Sequence, residues 1–93
     1  MATNYERGRA YEYKSQRALE AAGYETARTA GSHGPWDVAG FSAGGICLVQ
    51  VKFNCKPTPA EVEQFRLYPV PSGTTKLIHE WRKGARAPLV TIL

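Results

Sequence analysis

Apolar and polar positions along this chain follow two different periods, and these divide it into helices and strands. Over residues 4–22 the small and apolar side chains recur at helical spacing. At about 100° per residue, Tyr11, Ser15, Ala18, Leu19 and Ala22 share one inward stripe while Arg7 and Lys14 point away. Thr3-Asn4-Tyr5-Glu6 has the form of a capping box, which predicts a helix start near Asn4, and Gly23 is placed to end it. Tyr24 to Thr29 alternates as a strand does. Ile46 to Phe53 is a β-branched and aliphatic run whose polar members, Gln50 and Lys52, stand two apart and therefore share a face. Thr58-Pro59-Ala60-Glu61 opens a second helix with an N-cap, Pro at the first position and Glu at the third. That helix carries Val62, Phe65 and either Leu67 or Tyr68, and it stops at Pro69. Thr74 to Trp81 and Ala87 to Leu93 read as closing strands around the basic tip Arg82 to Arg86.

Between the first strand and the apolar run lies Ala30-Gly31-Ser32-His33-Gly34-Pro35, a small-residue loop whose backbone amides can approach an anion closely. Trp36-Asp37-Val38 then begins a short strand, and Ser42 to Gly45 form a turn. A symmetric hairpin centred between Ala43 and Gly44 puts Asp37 opposite Gln50. A centre on Gly44-Gly45 moves it opposite Lys52, and a three-residue loop flips one strand and separates the group. In the symmetric cases a carboxylate, an amide oxygen and an ammonium gather on one side of a two-stranded ribbon.

Length and composition narrow the setting. A chain of 93 residues, 43% hydrophobic and 22% charged, is expected to form one small domain over 1–93 with its own core. No apolar run reaches membrane-spanning length and no signal-peptide pattern opens the chain, so a cytoplasmic protein with no membrane partner is expected. Cys47 and Cys55 are too separated along an extended strand to bridge, and no pair drawn from the two Cys with His33 and His79 has zinc spacing, so reduced thiols are expected. The net charge of +4 is compatible with nucleic acid without being diagnostic of it. Asp37 carries more information, being the only Asp in the chain and sitting outside a turn.

Glu12 lies almost in line with Leu19 on the first helix. A carboxylate on that side needs a cation or a metal, or else it reaches an Arg such as Arg9 or Arg17 at the edge of the stripe. Asp37, Glu12, the Gln50 side-chain oxygen and the Val51 carbonyl are hard oxygen donors suited to magnesium, with manganese as substitute. A cation so held activates water and clamps charge on a phosphodiester, and Lys52 on the same face is placed to assist the attack.

Glu12, then Asp37 on one strand, then Gln50-Val51-Lys52 on the next, resembles the PD-(D/E)xK nuclease superfamily. Arg7-Gly8-Arg9-Ala10-Tyr11-Glu12, the strand bearing Arg28, and Ser32 in its Gly-rich loop narrow this to a resemblance to the archaeal-type Holliday junction resolvases, which also occur in phages. The match covers about the first sixty residues. It implies a small restriction-endonuclease-like α/β fold, with a central mixed sheet of about five strands flanked by helices. It also implies a metal-dependent endonuclease, usually a homodimer, that cuts four-way junctions in branched DNA. By that resemblance Glu12, Asp37 and Gln50 hold the metal, Lys52 assists attack and Ser32 lies near the scissile phosphate. Arg7, Arg9 and Arg28 contact the backbone, and Lys56 beyond Lys52 joins them as a candidate phosphate contact.

This chain departs from the resolvase pattern at position 50, where Gln replaces the usual Glu. An amide oxygen still ligates, but one negative charge and one possible general base are gone. The alternatives are a nicking, mismatch or restriction-type nuclease of the same superfamily, and a DNA-binding module that has lost its chemistry.

Overall fold

The structure, a computed structural model, describes residues 4–29 and 34–93 of the chain. Helix α1 spans Asn4–Ala21, as the apolar stripe requires. The predicted N-cap, Thr3, lies outside the described residues. At the other end Gly23, with φ 98°, takes the left-handed conformation that Gly adopts most readily. Its N–H donates to the Glu20 carbonyl and that of Tyr24 to the Leu19 carbonyl, both at 3.0 Å, which satisfies two terminal carbonyls at once. Ala22 falls in this turn and is exposed, so the buried stripe ends at Leu19.

Five strands follow the predicted order: β1 (Glu25–Arg28), β2 (Val38–Ser42), β3 (Gly45–Phe53), β4 (Thr75–Trp81) and β5 (Leu89–Ile92). They form one sheet in the same spatial order, antiparallel throughout except for the parallel β3–β4 pair. A parallel neighbour needs a crossover, and helix α2 (Pro59–Leu67) lies within it. The last strand is shorter than expected because Pro88 has no N–H to contribute to a ladder.

Side-chain parity assigns the helices to opposite faces. Val38, Cys47 and Val49 pack with Leu19 of α1, while Ala39, Leu48 and Ile78 pack with Phe65 of α2. Phe65 and Val49 are fully buried, so each face has its own core. The second helix starts as its sequence dictates: Thr58 Oγ1 accepts the Glu61 N–H at 3.1 Å and Glu61 Oε1 accepts the Thr58 N–H at 2.9 Å. At its other end Leu67 is exposed, and it is Tyr68 that packs, edge-on to Trp36 at 5.1 Å between ring centroids.

Both cysteines are free, Cys47 buried and Cys55 exposed. Among the described residues no helix is long and apolar enough to cross a membrane.

Candidate active site at the end of strand β3

The β2–β3 hairpin settles the register. Ser42 pairs with Gly45 and Val38 with Val49, so the turn is the two-residue Ala43-Gly44 and the symmetry centre lies between them. That register brings Asp37 beside Gln50. The ladder ends one residue short of it, because the Asp37 N–H donates to the Val49 carbonyl at 2.8 Å instead of continuing the pairing. Two further bonds hold the residue. The Thr29 N–H donates to the Asp37 carbonyl at 2.9 Å, and the Val51 N–H donates to Asp37 Oδ2 at 2.8 Å. Asp37 is thus tied to the strand on either side, and its remaining carboxylate oxygen is held in a defined position.

The resulting cavity, of about 370 Å³, is lined by Asp37, Gln50, Val51 and Lys52 from the hairpin, Gly34 and Pro35 from the loop, and Glu61 and Gln64 from α2. Gly34 belongs there for a steric reason: a Cβ on it would stand 2.8 Å from the Trp36 ring, which Tyr68 holds from the other side. Gln50 is 8% exposed. Its Nε2 donates to the Pro35 carbonyl at 3.1 Å, which orients the amide, and its buried Oε1 has no hydrogen-bond partner among the described residues. Thr74 Oγ1 and Glu80 Oε1 are also buried without a hydrogen bond among the described residues, but neither residue lines this cavity, and Glu80 Oε1 faces Arg82 Nη2 at 3.6 Å. Leaving a buried acceptor unmet costs about 1–3 kcal/mol.

Burial raises the Asp37 carboxyl above its ordinary range. The Val51 N–H and Lys52 pull it back, and Glu12 adds to the rise. Lys52 Nζ donates to Glu61 Oε2 at 2.6 Å, and that bond is the main reason the Glu61 carboxyl lies below its ordinary range. Glu61 therefore serves α2 with one oxygen and Lys52 with the other.

The remaining predicted site residues lie elsewhere. Glu12 is on α1, across the sheet from Gln50 and Lys52, and Arg28 Nη1 donates to its Oε1 at 3.0 Å. Neither Arg9 nor Arg17, the partners considered from helix geometry, takes that place. Arg28 is correspondingly engaged, with its guanidinium also 5.0 Å from the centre of the Tyr13 ring. Glu12 does not line the cavity, although its charge reaches Asp37. Arg7 is exposed at a different hollow, Arg9 is half-buried and Lys56 is exposed. Ser32 and His33 lie outside the described residues.

Glu61 and Gln64 complete the cavity and were not anticipated. The signal for Glu61 was present: a Glu at the third helical position uses one oxygen for the cap and has a second to offer, close in sequence to Lys52.

The mixed five-stranded sheet flanked by two helices is the small α/β fold expected from the sequence. The same fold is seen in Hjc of Archaeoglobus fulgidus, described as a Holliday junction resolvase from an archaeal hyperthermophile. That structure aligns over 91% of this chain and 76% of its own, with a TM-score of 0.73 and 22% identity. No protein-family model matches the chain, and no curated protein matches it by sequence.

Proposed function

We propose that residues 1–93 form a single nuclease domain, a divalent-metal-dependent endonuclease of the archaeal-type resolvase branch that cuts four-way DNA junctions by paired nicks. The observation that carries this reading is the buried Gln50 Oε1, without a hydrogen-bond partner among the described residues, beside the Asp37 carboxylate in a cavity that also holds Lys52. An oriented oxygen without a donor is what a cation site needs before the cation arrives. Its placement on the fold shared with Hjc makes phosphodiester hydrolysis the reading that uses every one of these groups.

The donor set fits magnesium or manganese: one carboxylate, one amide oxygen and the Val51 carbonyl, all hard oxygens. Among the described residues no three His, Cys, Asp or Glu side chains converge, so the site holds less negative charge than a cluster of carboxylates. When bound, the metal supplies an activated water and a clamp on phosphate charge. The protein does the rest. Asp37 and Gln50 would hold the cation at the end of β3, where it would meet the phosphate. Lys52, held by Glu61, neutralises charge developing on the phosphate oxygens. Glu12 joins the metal only by leaving Arg28, and Ser32 is assigned to the scissile phosphate by the resemblance. Arg7, Arg9, Arg28 and Lys56 are the proposed backbone contacts.

Cutting two strands symmetrically takes two sites related by a two-fold axis, so the active form is proposed to be a homodimer. β5 supports this, being an open sheet edge that exposes Leu89, Val90 and Ile92.

The test is a labelled four-way junction and a matched linear duplex, each incubated with the protein in magnesium, in manganese and in chelator, alongside Asp37→Asn. Paired nicks on the junction alone, lost with chelator and with the variant, support the reading. An intact junction in both metals overturns it, and tight metal-independent binding would then favour the DNA-binding module.

A further inference from the structure

Across the sheet from the cavity, on the α1 side, two adjoining hollows carry positive charge that no described carboxylate meets. One, of about 420 Å³, is bordered by Lys14 and Arg17 of α1 and by Arg86 of the β4–β5 turn, with Trp81 as its floor. The other, of about 410 Å³, lies between Arg7, Tyr11 and Lys83. A shared aromatic seam joins them: Tyr11 stacks on Phe53 at 4.1 Å, stands 6.0 Å from Trp81, and carries the Lys14 ammonium 4.6 Å above its ring. The five cations come from two elements far apart in sequence, and the fold alone brings them together. Ordinary surface cations are interspersed with acids, yet no acidic residue borders either hollow.

The position of this face relative to the cavity is informative. Lys52 ends the cavity side of β3, and Phe53 and Asn54 begin the other. Asn54 turns the chain there with φ 53°, donates its N–H to the Trp81 carbonyl and accepts the Lys83 N–H, so it ties the basic turn to the end of β3. The two surfaces therefore open on opposite sides of the same sheet end. A straight duplex can follow one of them. A branched one can offer an arm to each.

We propose that the face formed by Lys14, Arg17, Lys83 and Arg86 with Arg7 holds the phosphate backbone of a second duplex arm, and that it makes binding selective for branched over linear DNA. This rests on the nuclease reading above, whose cavity engages the first arm. The contacts are to phosphates rather than base edges, so they add affinity and salt dependence without sequence preference.

The test compares the unmodified protein with R17A/K83A/R86A by fluorescence anisotropy, in chelator so that nothing is cut, on a four-way junction and a linear duplex of matched length across a salt series. All three side chains are exposed, and an unchanged melting temperature confirms that the fold is intact. The expected result is a roughly tenfold or greater loss of junction affinity, with the salt slope reduced by about 0.9 for each phosphate contact removed. Linear duplex binding should change much less. Unchanged junction affinity and slope overturn the proposal, as does an equal loss on both DNA forms, while the nuclease reading survives either result. An unmodified protein that binds neither DNA at low salt defeats the nuclease reading itself, and this inference with it.

Discussion

Two regions of this small domain bury polar side chains, and they do so in opposite ways. On the α1 side, Ser15 is fully buried between His79 and Trp81. Its Oγ accepts the Trp81 Nε1–H at 2.8 Å and stands 2.9 Å from His79 Nδ1. With a neutral imidazole each of these three groups has its partner. On the α2 side, Gln50 is nearly as buried, yet its oxygen has none among the described residues, and burial disfavours the ionised form of Asp37 beside it. A satisfied network stabilises a fold, whereas an unsatisfied one stores a cost that a ligand can relieve. That contrast separates structure from function here more sharply than residue type does, since Ser, His and Trp are no less chemical than Asp, Gln and Lys.

Asp37→Asn gives the largest expected effect. It removes the carboxylate proposed to hold the metal, so cleavage in magnesium or manganese should fall by at least about 100-fold. Manganese binding followed by calorimetry should disappear with it. The same change should leave the metal-free protein more stable at neutral pH. The Asp37 pKa is raised on folding, so its contribution to stability is fully present below the ordinary carboxylate range and is lost as pH rises through the folded value. An amide avoids that loss. A variant that unfolds more readily than the parent at pH 7 without metal would show that Asp37 belongs with the satisfied network and not with the site.

The α1 side should respond to pH with the opposite sign. Burial lowers His79 from 6.5 to about 4, so folding favours the neutral ring. Stability is fully present above pH 6.5 and declines as pH falls toward 4, by up to about 3 kcal/mol. Thermal unfolding between pH 7 and 4.5 measures this, and His79→Leu should flatten the profile. Ser15→Ala leaves the Trp81 donor without its acceptor and should cost about 1–3 kcal/mol, with metal binding at the cavity unaffected. Loss of metal binding in Ser15→Ala would mean that the two regions are one.

How much of this was legible in the sequence differs between the regions for physical reasons. The hairpin was legible as to face but not register: both symmetric centres put Asp37 on one side with Gln50 and Lys52, and only the observed pairing selects the centre between Ala43 and Gly44. The capping box at Thr58 and Glu61 was legible because its hydrogen bonds span three residues. Parity put Gln50 and Lys52 together. What parity cannot say is which helix covers which face: α1 packs on the side opposite Gln50 and Lys52, where Arg28 of β1 meets Glu12, whose charge still acts on Asp37. The Ser15–His79–Trp81 network was not legible either: Ser15 lies 64 and 66 residues from the two β4 side chains, and only the docking of α1 on β4 joins them.

The smallest effect tests why position 50 carries an amide. Gln50→Glu restores a second carboxylate to the cavity, and ligand charge tightens a hard cation, so manganese should bind roughly tenfold more strongly. Without metal the change should be unfavourable for two reasons visible in the structure. A carboxylate has no N–H to give the Pro35 carbonyl, which Gln50 Nε2 now satisfies, and it places a second negative charge beside Asp37, whose ionised form burial already disfavours. The metal-free variant should melt below the parent, and saturating manganese should reverse the order. If instead manganese binds the variant no better than the parent, the Gln50 oxygen does not face the cation. The cavity would then be a polar pocket whose missing donor is something other than a metal.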